Sequence, residues 1–269
     1  MNRTVIINGR KISPARYKGY DEADFNLDRM LDCGQCFRWE KNDQGIWETP
    51  EDIKDISGYF DLGRDYSKIR RKLSKNDPVM KEAIRAGKGI RILKQDRWET
   101  LLSFIISQNN NIPRIKGCIS TLSETLGEKG QLPTPAVLAR ATVEDLAACR
   151  LGYRDKYLIE TARQIEEDPE FLDRLAKPEV SSDEAAEVLQ KLSGVGPKVA
   201  NCIALFGLGK IDSFPIDVWM KRVMNQLYGI PENDVKAMKE YAAENFAPYG
   251  GIAQQYLFYY INHKDVDKR

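Results

Sequence analysis

Two residues of this chain have the types and the setting for work on a substrate. Lys198 lies in Ser193-Gly194-Val195-Gly196-Pro197-Lys198-Val199-Ala200-Asn201-Cys202, and Asp217 in Ser213-Phe214-Pro215-Ile216-Asp217-Val218-Trp219-Met220. An amine is a nucleophile only when deprotonated, and a lysine of pKa about 10.4 is neutral in roughly one molecule in 2,500 at pH 7. A carboxylate can stabilise positive charge as it builds on a reacting centre. Plainer roles are open for both: a surface lysine touching phosphate, and an aspartate capping the helix that follows it.

The elements that position them read clearly. Ser181 and Glu184 have capping-box spacing. Ala185, Val188, Leu189 and Leu192 recur at helical intervals, so Ser181 to Leu192 is expected to be an amphipathic helix. Gly194-Val195-Gly196 stops it with a tight turn. Pro197 suits the first position of a second helix, with Val199, Cys202, Ile203 and Phe206 inward; Gly207 and Gly209 end it. Asp217 then caps a third helix that buries Met220, Val223, Met224 and Leu227. A helix, a glycine turn and a second helix present unpaired N–H groups, which bind phosphate without base contacts. That helix N-terminus disfavours an ammonium on Lys198 by only about 0.3–1 kcal/mol. Burial beside Cys202 and Ile203, or substrate contact, would supply the rest of its activation.

The whole chain sets wider bounds. Its 269 residues suffice for one or two domains. Lys and Arg total 41 against 40 Asp and Glu, a net charge of +1, so any basic footprint must be local. Lys81, Arg85, Lys88, Arg91, Lys94 and Arg97 form one such run, whose bland reading is a solvated helix face. The five cysteines, Cys33, Cys36, Cys118, Cys149 and Cys202, are odd in number and scattered, which suits a reducing compartment rather than a disulfide framework. Cys33-x-x-Cys36 lacks a second pair and His263 is the only histidine, so no metal site is expected. With no signal peptide or long apolar run, the protein is expected to be intracellular, cytoplasmic or nuclear, with no membrane contact.

Residues 1 to about 75 show strand-like fragments at Thr4–Ile7, Arg16–Tyr20 and Cys36–Glu40, with a helical turn at Asn26–Leu31. From Tyr66 onward helical periodicity dominates. Trp98, Leu101, Leu102, Ile105 and Ile106 mark a strongly buried helix, and a last helix falls near Ile252–Asn262. The expected fold is α+β and predominantly α: a small antiparallel β domain over 1–75 and an all-α domain over 76–269.

The stretch around Lys198 and Asp217 resembles the helix-hairpin-helix Gly/Pro/Asp (HhH-GPD) family of DNA glycosylases, with those two residues on the family's catalytic positions. Four further segments narrow the resemblance to its 8-oxoguanine branch: Cys33-Gly34-Gln35-Cys36-Phe37-Arg38-Trp39, Phe104 to Arg114, Leu151-Gly152-Tyr153-Arg154-Asp155-Lys156-Tyr157, and Pro248 to Phe258. They occur in the family's order, so the resemblance spans nearly the whole chain. Between Trp47 and Tyr59 the chain is much shorter than the family's usual N-terminal sheet. The iron–sulfur members of the superfamily need four cysteines near the chain end, and none lies beyond Cys202 here.

The resemblance implies a role for each matching residue. Lys198 would attack the sugar C1′ and form a Schiff base, and Asp217 would stabilise charge on the sugar. Gly34 would offer its carbonyl to the N7–H that oxidised guanine has and guanine lacks, a mismatch able to discriminate by about 10⁴-fold. Phe258 and Cys202 would sandwich the flipped base and Gln254 would bond its Watson–Crick edge. Asn109 would fill the hole left behind, Tyr153 would wedge beside it, and Arg114 and Arg154 would read the orphaned cytosine. Gly194, Val195 and Gly196 would meet the phosphate backbone. Two positions depart: Trp219 stands where the family often has histidine, and Ile261 where it often has an acid.

The expected activity is excision of 8-oxoguanine opposite C from double-stranded DNA, then β-elimination, by a monomer without cofactor or catalytic metal. The hairpin's carbonyls remain able to hold a passing monovalent cation. Two other readings stay open: the same scaffold acting on an alkylated purine, and a DNA-binding module without catalysis. A metal-dependent nuclease lacks any carboxylate cluster at ligand spacing.

Overall fold

The computed structural model describes residues 25–49 and 53–263 in full and the backbone of 5–7 and 10–12. Among the described residues, two short antiparallel sheets lie in the N-terminal part of the chain, with the short helix Leu27–Leu31 between them in sequence. Strand β1 (Val5–Ile7) pairs with β2 (Arg10–Ile12), with Val5 opposite Ile12; β3 (Glu40–Lys41) pairs with β4 (Trp47–Glu48), with Glu40 opposite Glu48. The helices are α1 (Leu27–Leu31), α2 (Ile56–Tyr59), α3 (Tyr66–Leu73), α4 (Pro78–Ala86), α5 (Arg97–Ile106), α6 (Ile112–Leu126), α7 (Pro135–Arg140), α8 (Arg154–Glu167), α9 (Phe171–Leu175), α10 (Ser182–Leu189), α11 (Pro197–Phe206), α12 (Val218–Tyr228), α13 (Val235–Phe246) and α14 (Gly250–His263). The predominantly helical α+β expectation is met.

Helix α5 is the centre. Every residue from Glu99 to Ile106 is buried, as a helix packed on all sides requires. It contacts α6, α8 and α11, and Phe104 stacks on Phe206 of α11 with ring centroids 5.4 Å apart. Asp96 starts it by accepting from Glu99 N at 2.8 Å, a cap worth about 1 kcal/mol. Helix α14 packs along α4 and α12 and closes the other side of the core.

The predicted hairpin forms. Ser181 caps α10, accepting from Glu184 N at 3.1 Å, and Pro197 opens α11. Helix α10 ends at Leu189, short of Leu192, yet Leu192 is still buried at the turn. Gly194 has φ +73, and a Cβ there would lie 2.6 Å from the Tyr157 ring. The position therefore needs glycine for both its backbone and its space.

The strand expected over Cys36–Glu40 does not form; only Glu40 enters one. A half-buried strand needs one covered and one open face. Here Cys33 and Phe37 enter the larger core, while Cys36 and Trp39 enter a second cluster with Met30, Tyr59, Phe60 and Leu93. Arg38, also buried, pairs with Glu99 at 2.6 Å. The segment is a seam between two cores, bent to feed both. Thr4 and the expected strand Arg16–Tyr20 lie outside the described residues.

The basic run from Lys81 to Arg97 is not one solvated face. Arg91 is wholly internal: its guanidinium donates to the carbonyls of Phe60, Asp61 and Arg64 and lies over the Tyr66 ring. Arg85, Lys94 and Arg97 are paired with Glu82, Asp61 and Asp173. Among the described residues no helix is long and apolar enough to cross a membrane.

Candidate active site

Asp217 caps α12 as its sequence position predicts, accepting from Met220 N at 2.7 Å through Oδ1. That bond aims the carboxylate and leaves its second oxygen for other work. Lys198 sits on the first turn of α11, half-buried. Both residues line a single cavity of about 550 Å³, which Gly34, Cys202, Gln254 and Phe258 also line. Segments far apart in sequence thus deliver all six predicted catalytic and base-binding residues to one space.

The electrostatics of the three groups at its floor are linked. Burial pushes the Cys202 thiol above its ordinary pKa; the Lys198 amine, hydrogen-bonded to it, acts against that, and Asp217 acts with it. A thiol raised this way stays protonated at neutral pH. Lys198 Nζ also stands 5.3 Å from the Phe104 ring centroid. Among the described residues no ion pair joins Lys198 to Asp217.

Gln254 brings to the cavity a polar atom with nothing to bond. Gln254 is 6% exposed and its Oε1 is buried without a hydrogen-bond partner. An orphaned buried oxygen costs about 1–3 kcal/mol, so it marks a place for a ligand's donor. Gly34 has φ +76, and a Cβ on it would reach to 3.6 Å from Phe258 Cε1. A second cavity of about 580 Å³, lined by Arg38, Lys94 and Glu99 among others, differs in kind. Two of its charges are already paired, Arg38 with Glu99 and Lys94 with Asp61.

The remaining predicted residues form an exposed surface beyond the cavity. Asn109 is exposed, with a left-handed φ of +45. Gln108 beside it donates to Gly194 O at 2.9 Å, tying this loop to the glycine turn. Tyr153 is 51% exposed, and the Arg154 guanidinium lies 4.4 Å from its ring centroid. Arg114 is exposed and touches Arg150 O at 3.2 Å. Arg154, expected with Arg114 to read the orphaned cytosine, is placed differently from Arg114. It is 3% exposed, and its guanidinium donates to the carbonyls of Leu151, Gln108 and Asn109. Val195 is buried, so the turn can offer DNA only its backbone.

Several lining residues escaped the sequence reading. Phe104 enters the sequence reading only as the start of the Phe104–Arg114 segment, and Trp219 only as a departure at the family's histidine position. Trp219 in fact lines the cavity while 44% exposed, under the Arg222 guanidinium at 4.9 Å. Gln255, 2% exposed, also reaches the cavity wall; two consecutive glutamines in an otherwise apolar helix were the available signal. All five cysteines are free and buried, and no group of His, Cys, Asp or Glu among the described residues is arranged to hold a metal.

Comparison with known proteins places this geometry. Residues 102–248 match the family model of the HhH-GPD superfamily base excision DNA repair protein, and residues 47–101 match the 8-oxoguanine DNA glycosylase N-terminal domain. A probable N-glycosylase/DNA lyase of Methanothermobacter thermautotrophicus is 30% identical over 76% of this chain and 72% of its own length. An N-glycosylase/DNA lyase of Saccharomyces cerevisiae is 38% identical over 54% of this chain, which spans 43% of the yeast protein. The Clostridium acetobutylicum 8-oxoguanine glycosylase/lyase, in complex with double-stranded DNA containing cytosine opposite 8-oxoG, superposes with a TM-score of 0.81 at 38% identity, covering 90% of this chain and 93% of that one.

Proposed function

The chain belongs to the HhH-GPD superfamily of base excision DNA repair proteins and is a bifunctional 8-oxoguanine glycosylase/lyase; from that premise we propose that Lys198 carries both chemical steps through a Schiff base. The everted lesion enters the cavity between Phe258 and Cys202. Gln254 Oε1 accepts from its Watson–Crick edge, and the Gly34 carbonyl accepts from N7–H. Lys198 Nζ forms a bond to C1′ while the C1′–N9 bond breaks and its electron pair leaves with the base. Asp217 stabilises the positive charge that accumulates on the sugar. The ring-opened sugar becomes an iminium on Lys198; loss of a C2′ proton then expels the 3′ phosphate by β-elimination, and water releases the enzyme.

In this reading residues 1–75 supply Gly34 and residues 76–269 the rest. The protein acts inside the cell, as a monomer on double-stranded DNA, with preference for a lesion opposite C. The backbone N–H groups of Gly194, Val195 and Gly196 hold phosphate, Asn109 and Tyr153 occupy the vacated stack, and Arg114 is placed to read the orphan base.

One observation carries the proposal: an amine, a capped carboxylate and an unpartnered buried amide oxygen share one cavity. Borohydride reduction of the protein on 8-oxoguanine duplexes tests it, with each of the four bases opposite the lesion. A covalent adduct is expected, strongest opposite C and absent in Lys198→Ala. Binding without any adduct would leave a DNA-binding module and overturn the proposal.

A further inference from the structure

The turn that carries Gly34 is held from both sides by glutamines. Gln255 of α14, 2% exposed, donates from Nε2 to Cys33 O at 2.8 Å. Gln95 donates from Nε2 to Gln35 O at 2.6 Å. Gln35 itself, fully buried, donates to Met30 O and Arg91 O at 3.0 Å each and accepts from Leu93 N at 2.9 Å. The carbonyls before and after Gly34 are therefore both taken, whereas among the described residues no protein donor reaches the Gly34 carbonyl. With φ +76 at Gly34, the bond to Cys33 O anchors the peptide plane that leads into Gly34, and the bond to Gln35 O anchors the plane that follows the one carrying the Gly34 carbonyl.

We infer that Gln255 is a positioning residue for lesion discrimination: by holding Cys33 O it fixes the Gly34 turn, so that the one unclaimed carbonyl meets N7–H of the everted base. The inference rests on the lesion-binding role given to Gly34 above. It has a geometric logic, since Gln254 and Gln255 are neighbours on one helix that divide the work. Gln254 presents an unpartnered oxygen to the cavity, and Gln255 turns a donor onto the wall that faces it. The lesion's two hydrogen-bonding edges are thus referenced to one rigid element. Burial around the same turn also keeps the Cys33 thiol protonated, its pKa pushed up to about 12, so no charge competes for the Gln255 donor.

Displacing a reacting group by about 1 Å costs on the order of 100-fold. Gln255→Met keeps the side chain's length and loses the donor. We expect it to slow single-turnover excision of 8-oxoguanine by about 10- to 100-fold while leaving strand cleavage at a preformed abasic site within about twofold, because that step needs no base contact. The abasic activity also certifies that the variant is folded. A second readout is competition binding between duplexes bearing 8-oxoguanine and 8-methoxyguanine, which has similar bulk but no N7–H. The wild type's preference for the first should shrink in Gln255→Met by a similar factor. Equal excision and an unchanged preference would overturn the inference, as would parallel loss of excision and abasic cleavage. Failure of the wild type to excise 8-oxoguanine at all would instead sink the functional reading on which it rests.

Discussion

The cavity proposed to take the lesion and the surface proposed to meet the opposite strand are built on contrary principles. On the lesion side, polar groups wait: Gln254 Oε1 is buried and unpartnered, and the carbonyls around Gly34 are arranged so that Gly34's is left over. On the opposite side the conspicuous cation is already consumed. Arg154 spends its guanidinium on three carbonyls, two of them in the loop that sets Asn109 at φ +45. Of the two arginines expected there, Arg114 remains displayed, held by one 3.2 Å contact. A pocket with orphaned groups binds without rearranging, and the bound base relieves a cost of about 1–3 kcal/mol per group. A surface whose groups are satisfied must first give up bonds. In the proposed reading, lesion recognition is accordingly preformed, while reading of the partner base is assigned to Arg114, with Arg154 bracing the Asn109 loop from behind.

The contrast can be tested by breaking each side in turn. The largest effect belongs to the cavity floor: Lys198→Ala should lower excision by about 10⁴-fold or more with DNA binding retained, read by single-turnover cleavage and filter binding. On the cavity wall, Gln254→Leu should reduce 8-oxoguanine excision by about 10- to 100-fold and leave abasic cleavage near wild type; equal losses on both substrates would mean that Gln254 is merely structural. On the opposite side the two arginines should separate. Arg154→Ala strips partners from the Gln108 and Asn109 carbonyls, so it should destabilise by about 1–3 kcal/mol in urea melts and slow excision by one factor whichever base faces the lesion. Arg114→Ala should leave stability alone and flatten the opposite-base profile. If Arg154→Ala alters the profile and Arg114→Ala does not, the assignment is reversed.

The smallest effect is on pH dependence. Burial raises the Cys33 thiol from 9.0 to about 12. The unfolded chain therefore loses this proton at lower pH than the folded one, and stability tied to the group is full below pH 9 and falls between about 9 and 12. Iodoacetamide should label Cys33 at pH 8 only after unfolding, and Cys33→Ala should flatten the alkaline side of the stability curve.

What the sequence disclosed and what it hid follow the same divide. Local signals carried the lesion side: capping at Ser181 and Asp217, the Gly194 turn and Pro197 are set by neighbours within a few residues, and they place Lys198 and Asp217 without tertiary information. Arg154 could not be read the same way. Its burial depends on carbonyls of Gln108 and Asn109, more than forty positions earlier. The glutamine pair marked Gln255 as unusual, but not what it holds, because its partner, Cys33 O, is 222 residues away. The strand expected over Cys36–Glu40 failed because its apolar residues are divided between two cores, which no period in the sequence announces. Arg91 misled for a similar reason, being a basic residue whose partners are main-chain oxygens of Phe60, Asp61 and Arg64.

The most direct measurement is mass spectrometric mapping of the borohydride-trapped adduct on an 8-oxoguanine:C duplex. A deoxyribose remnant on the peptide containing Lys198, and on no other amine, is the predicted result. An adduct on the N-terminus or on another lysine, with Lys198 unmodified, would contradict the assignment of the nucleophile.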